Sequence, residues 1–134
     1  MTARGSGCRR RRRRWHDELA LARLVAGFRD AYAMEDLAAL ARILGPWVRI
    51  AVDAGEQATA PPPALGVIAV IGLLHQVLGP PGDLTLEVRS VNGGPGLLVT
   101  RCGDPVAVVV LRGRVGAVTD LWVVADPGKL LRWR

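Results

Sequence analysis

The sequence predicts an α+β domain in which helices pack on one face of a curved, mostly antiparallel sheet. Three observations carry this. Apolar residues recur at helical spacing between Asp17 and Leu44; the stretch from Trp47 to Asp53 alternates at period two; and from Leu84 to Asp126 four apolar runs are separated by short turns containing glycine. Helices ahead of a run of neighbouring strands make a layered α+β arrangement rather than an alternating α/β one. The 134 residues fit one domain, and a chain of this length buries about two thirds of its unfolded surface without needing disulfides.

In chain order, Asp17 is a candidate N-cap for a first helix whose buried stripe is Leu21, Leu24, Val25 and Phe28. A second helix is expected from about Glu35 to Leu44, with Leu37, Leu40, Ala41 and Leu44 inward and Gly45-Pro46 as its stop. "WVRIAVDAG" reads as a strand half exposed to solvent. Pro61 to Pro63 deny donors to any ladder and mark a loop. A third helix follows at about Ala64 to Leu78, its Val67, Ile68, Ile71 and Leu74 expected to face the sheet. The strands "LTLEVRSV", "GLLVTRC", "PVAVVVLR" and "VGAVTDLWVVAD" complete the chain, with "CGDP" and "RGR" as hairpin turns. The segment 105 to 111 is nearly all apolar, which places it centrally with both faces covered.

The formal charge of +6, from 18 basic and 12 acidic residues, is uneven. Arg4 and the run Arg9, Arg10, Arg11, Arg12, Arg13 and Arg14 supply seven positive charges, so the remaining eleven basic residues face twelve acids and the body carries −1. Residues 1–15 therefore read as a disordered arginine-rich leader and 16–134 as the folded domain. Through those arginines the leader would make weak, salt-dependent, non-specific nucleic-acid contact; an incidental solvated tail is the plainer reading. Cys8 and Cys102 have no paired spacing, which indicates neither a disulfide framework nor a zinc site and fits a reducing, cytoplasmic setting. No apolar core follows the basic N-terminus as in a secretory signal, and no run of about 18 apolar residues occurs, so no membrane role is expected.

Chemistry-bearing motifs are sparse. "GGPG" lacks dinucleotide-loop spacing and no phosphate loop exists, so no cofactor is expected; His16 and His75 are far apart in sequence, and no metal site is expected. The polar residues that could serve a pocket are Tyr32, Asp53, His75, Glu87, Arg89 and Asp120. A carboxylate such as Asp53 or Glu87 beside apolar neighbours could act as a base, with Tyr32 or His75 as a donor to an enolate oxygen. Surface or structural roles are the commoner fate of such residues, and the balance lies against an enzyme.

Three local features carry a family resemblance. "VNGGPG" (Val91, Asn92, Gly93, Gly94, Pro95, Gly96), "ADPGKL" (with Asp126, Pro127, Lys129 and Leu130) and "DAGEQ" (with Asp53 and Gly55) are similar to three signatures of the SnoaL-like domain of the NTF2-like superfamily. The version resembled most is the C-terminal extension of extracytoplasmic-function sigma factors of the sigma factor J type. The first signature matches at every fixed position, whereas the second and third retain only some of theirs.

The resemblance implies a cone-shaped NTF2-like sheet with about three helices on its concave face, enclosing a pocket. It further implies a non-catalytic regulatory or protein-interaction domain, without the promoter-binding regions: a stand-alone domain, a remnant of gene truncation or a fragment of a longer chain, with the partial signatures favouring a truncated or diverged copy. Its expected partners are sigma-factor regions or RNA polymerase, docked on the C-terminal "LWVVADPGKLLRWR", and a second copy of the chain. The competing implication is a small-molecule-binding protein, or an enzyme of ketosteroid-isomerase or polyketide-cyclase type, from the same superfamily. By its residues alone, "NGGPG" is a stiff connection that aims the strand after it.

Overall fold

The structure, a computed structural model, describes residues 2–56, 58–114 and 116–133, with side chains from residue 18 onward. The helical periodicity of the N-terminal third produces α1 (Thr2–Ala33) and α2 (Leu37–Ile43), after which the chain enters strand β1 (Leu44–Asp53). A two-residue strand β2 (Ala64–Leu65) leads into α3 (Val67–Leu78), and β3 (Leu84–Val91), β4 (Gly94–Arg101), β5 (Asp104–Arg114) and β6 (Ala117–Val124) follow as a meander. A short helix α4 (Pro127–Leu130) and a 3-10 turn (Leu131–Trp133) end the described chain.

The strands form one mixed six-stranded sheet in the order β2-β1-β6-β5-β4-β3. Every pairing is antiparallel except β1 with β6, which is parallel. Helices α1, α2 and α3 pack on one face, while α4 packs against β5 on the opposite face. The expectation of helices on one face thus needs a fourth, short helix behind the sheet, and the sheet is mixed and open at both edges in the strand order rather than a demonstrated cone. Among the described residues no helix is long and apolar enough to cross a membrane.

The core lies between α1, α3 and the sheet. Val25 and Phe28 of the anticipated stripe are fully buried, and Leu21 and Leu24 pack partly against the same cluster. Facing them are Leu97 and Val99 of β4, Val109 and Leu111 of β5, and Leu121 and Val123 of β6. Each such side chain contributes about 1.5–3 kcal/mol by leaving water. The parity of β4 separates the two faces: Leu97 and Val99 join the main core, whereas Leu98 joins a second cluster with Val108 and Leu130 behind the sheet.

Several boundaries depart from the sequence reading. The helix begins at Thr2 rather than at an Asp17 cap, so its backbone continues through the stretch expected to be a disordered leader; arginine is a good helix former, and a helix seeded in the body propagates into it. The arginine side chains, and any nucleic-acid contact through Arg9 to Arg14, lie outside the described residues.

Helix α2 starts two residues late because Asp36 caps it, accepting the N–H of Ala39 at 3.0 Å. Its Leu37 is exposed, and Gly45-Pro46 lie inside β1, where the register with β6 slips between Leu44 and Arg49. Helix α3 begins after β2 takes up Ala64 and Leu65; it turns Val70, Leu73, Leu74 and Leu78 inward, packs Val67 and Ile71 partly against the core, and leaves Ile68 in solvent because the 3.6-residue turn carries it off that face. "RGR" belongs to β5, and the chain turns after Arg114 with Gly116 at φ 76°. The central placement of residues 105–111 holds: β5 lies between β4 and β6.

"VNGGPG" is a hairpin corner. Asn92 and Gly93 take φ of 50° and 81°, the two-residue turn whose twist suits antiparallel strands. Gly94 and Pro95 already pair with Val91 and Ser90. At Gly96 the requirement is space: a Cβ would lie 2.7 Å from Val91 Cγ2 and 2.9 Å from the Val109 carbonyl oxygen.

Candidate functional site

The polar residues singled out in the sequence do not converge; they separate into four places. In the interior, Tyr32 at the end of α1 is buried and donates its hydroxyl to the Gly79 carbonyl at 3.1 Å. Burial pushes its phenol up to about 12. The His75 ring lies 5.5 Å from that of Tyr32, and its Nδ1 bonds the Ile71 carbonyl at 3.0 Å, one helical turn back. Neither Asp53 nor Glu87 joins them. Phe28, Leu74, Leu97, Val99 and Val109 are buried in the same core cluster as Tyr32, and the Tyr32 hydroxyl ties the end of α1 to Gly79 at the end of α3.

Glu87 and Arg89, two residues apart and therefore on one face of edge strand β3, pair with each other at 3.1 Å in solvent.

Asp53 closes β1 and enters a polar clasp. Its carboxylate accepts the Lys129 ammonium and the N–H of Gly55, the latter at 3.0 Å. The hydrogen bond from Lys129 first, and the backbone bond from Gly55 second, hold Asp53 below the usual carboxylate range. The same hydrogen bond to Asp53 raises Lys129. Asp126 caps α4 by accepting the Gly128 N–H at 3.0 Å. Gly55, at φ 83°, leaves room for Asp126, whose carboxyl carbon would lie 2.7 Å from any Cβ there.

Two partial sequence signatures, "DAGEQ" and "ADPGKL", thus meet in space, with Gln57 of the first outside the described residues. They enclose an open cleft of about 690 Å³, but its central carboxylates are already satisfied from within. The clasp seats α4, whose buried Leu130 covers Leu98 and Val108 together with half-buried Trp133. In the C-terminal stretch expected to dock a protein, Leu121, Val123 and Leu130 are buried, whereas Trp122 and Leu131 stay exposed.

The fourth place was not singled out as a unit. On the sheet face away from α1, register aligns Ala51, Trp122 and Val110 across β1, β6 and β5 as one apolar row. The next row is Arg49, Asp120 and Arg112. Asp120 binds Arg49 at 3.0 Å and takes the Thr119 hydroxyl at 2.9 Å; Arg112 has no ion-pair partner among the described residues. With Pro63 as a side wall these rows line an open groove of about 530 Å³. A second depression of about 510 Å³ adjoins it, sharing Arg49 and Asp120 and adding Trp47 and Arg114. Trp47 is 78 % and Trp122 52 % exposed, so this half of the sheet face is uncovered, unlike the half under α4. The signal was present in "TDLWVV": strand parity puts Asp120 and Trp122 on one side.

Arranged as a mixed sheet with three helices on one face and a short fourth on the other, the chain has the fold of the NTF2-like superfamily, to which the SnoaL-like domains belong. An NTF2-like protein of unknown function from Burkholderia xenovorans is similar over 88 % of this chain and 95 % of its own, at 20 % identity and a TM-score of 0.59. A candidate ketosteroid isomerase from Kribbella flavida matches over 81 % of this chain and 78 % of its own, at 18 % identity and a TM-score of 0.58. The extracytoplasmic function sigma factor SigJ of Mycobacterium tuberculosis is 27 % identical over 82 % of this chain with a TM-score of 0.63, and the match spans 43 % of SigJ. No protein-family model matches the sequence, and no curated protein does.

These relatives correct the expected sigma-factor-like regulatory role. The similar structures include NTF2-like proteins, a candidate ketosteroid isomerase and candidate polyketide cyclases that match along most of their own lengths, whereas SigJ matches over less than half.

Proposed function

We propose that the chain is a small-molecule-binding domain of NTF2-like type, and that its ligand lies in the groove behind the sheet. The observation that carries this is the pair of aligned rows: an apolar floor of Ala51, Val110 and half-exposed Trp122 beside a charged edge of Arg49, Asp120 and Arg112. A volume of about 530 Å³ lies within the size range of ligand sites, which combine an apolar lining with a few placed polar groups. The likeness to a candidate ketosteroid isomerase and to IdmH, a candidate polyketide cyclase from Streptomyces antibioticus, supports a small organic ligand at the level of fold.

Binding without enolising catalysis fits the geometry better than an isomerase or cyclase. Such chemistry needs a base near the substrate carbon and a donor at its carbonyl oxygen. Here Asp53 is tied to Lys129, Glu87 to Arg89, and the Tyr32 hydroxyl to Gly79. Calorimetric titration of the full chain with the flat neutral probe 2-naphthamide tests the reading: binding is expected, and Trp122→Ala should weaken it at least fivefold. A failure of wild-type protein to bind would refute it.

A further inference from the structure

We infer that the groove selects a flat apolar molecule bearing a carboxylate, with Arg112 as the residue that reads the acid group. The inference rests on the groove being the ligand site, and it follows from the charge count of one row. Asp120 lies opposite Arg49 on one side and Arg112 on the other. Its Oδ1 is taken by Arg49 and its Oδ2 by the Thr119 hydroxyl. One carboxylate does not neutralise two guanidiniums, so the row keeps a net positive charge at the Arg112 end, bordering the groove.

The guanidinium is a planar fork of donors that matches a carboxylate in two parallel hydrogen bonds. Two residues along β5 and β6, and so on the same face, Val110 and Trp122 offer the apolar surface on which a ring can lie. A ligand with its ring on Trp122 and its carboxylate at Arg112 satisfies both rows at once. Asp120 would repel the acid were it not drawn to Arg49, so the Arg49 pair acts as a positioning contact that keeps Arg112 available.

The experiment compares 2-naphthoate with 2-naphthamide by calorimetry on the full chain. The acid should bind about tenfold more tightly, equivalent to about 1.4 kcal/mol, and the advantage should shrink with added salt. Arg112→Gln should abolish the advantage of the acid over the amide. Arg49→Gln should also reduce it, by releasing Asp120 toward Arg112, whereas Asp120→Asn should increase it. Equal binding of acid and amide would overturn the carboxylate inference and leave the groove as an apolar site. Absence of binding by either probe would overturn both. Sedimentation over a range of concentrations adds a further outcome: a dimer lost in Trp122→Ala would assign the face to a second copy of the chain and overturn the inference.

Discussion

The six residues of "VNGGPG" can be taken apart by alanine, because the structure asks something different of each glycine. At Gly96 a Cβ would meet the Val109 carbonyl oxygen at 2.9 Å and Val91 Cγ2 at 2.7 Å. The valine methyl can rotate, but the carbonyl belongs to the neighbouring strand, so β4 and β5 must part locally. Overpacking of this kind costs about 1–3 kcal/mol, which for a domain of this size lowers the melting midpoint by about 3 °C per kcal/mol. Gly93 has open space around a Cβ but sits at φ 81°, and Gly93→Ala should cost about 1–2 kcal/mol in backbone strain. Gly94 has neither constraint, its nearest contact being the Val91 carbonyl at 3.9 Å; Gly94→Ala should fall within about 0.5 kcal/mol of wild type. Urea and thermal unfolding of the three variants give the ranking. If Gly94→Ala were as damaging as Gly96→Ala, or Gly96→Ala were neutral, the steric account of the turn would be wrong.

Tyr32→Phe should cost about 1 kcal/mol at neutral pH through the lost bond to Gly79. It should also remove an alkaline sensitivity: the phenol ionises near 10 when unfolded and at about 12 when folded. The unfolded chain therefore holds fewer protons in that window, and wild-type stability falls by up to about 3 kcal/mol as pH rises through it. Unfolding at pH 8 and pH 11 for both proteins measures the difference.

Lys129→Met or Asp53→Asn should speed amide exchange in residues 126–133 while the main core stays protected. Because Asp53 is lowered and Lys129 raised, the clasp is complete between the ordinary ranges of the two groups. It is lost as pH falls through the lowered Asp53 value or rises through the raised Lys129 value. Leu130→Ala, which empties the small cluster over Leu98 and Val108, should cost about 2 kcal/mol or more and expose Trp133, seen as a red shift in fluorescence.

Elements with a local cause were legible in the sequence. The stripe Leu21, Leu24, Val25 and Phe28, the strand 84–91 and the Asn-Gly corner all follow from periodicity or turn chemistry within a few residues. Features made by pairing distant segments were not. β2 has two residues, too few for a period, and the parallel match of β1 with β6 decides which side chains become neighbours. Asp53 and Lys129 are 76 positions apart and Arg49 and Asp120 are 71 apart, so their ion pairs follow from register rather than composition. The sequence singled out Asp53 and Asp120 as polar residues in apolar strands without showing that each already had a cation. Arg112 carries no signal by itself and Trp122 enters only as part of the C-terminal stretch, because each, alone, is an ordinary surface residue; they matter as neighbours across β5 and β6.

The central claim, that a ligand sits behind the sheet rather than between helices and sheet, is tested most directly by nitrogen-15 and methyl NMR of the full chain titrated with 2-naphthoate. The account predicts saturable shifts at Ala51, Val110, Arg112 and the Trp122 indole, with the signals of Leu74, His75 and Val99 unmoved. Shifts confined to the interior around Leu74, His75 and Val99, with the Trp122 indole silent, would contradict it.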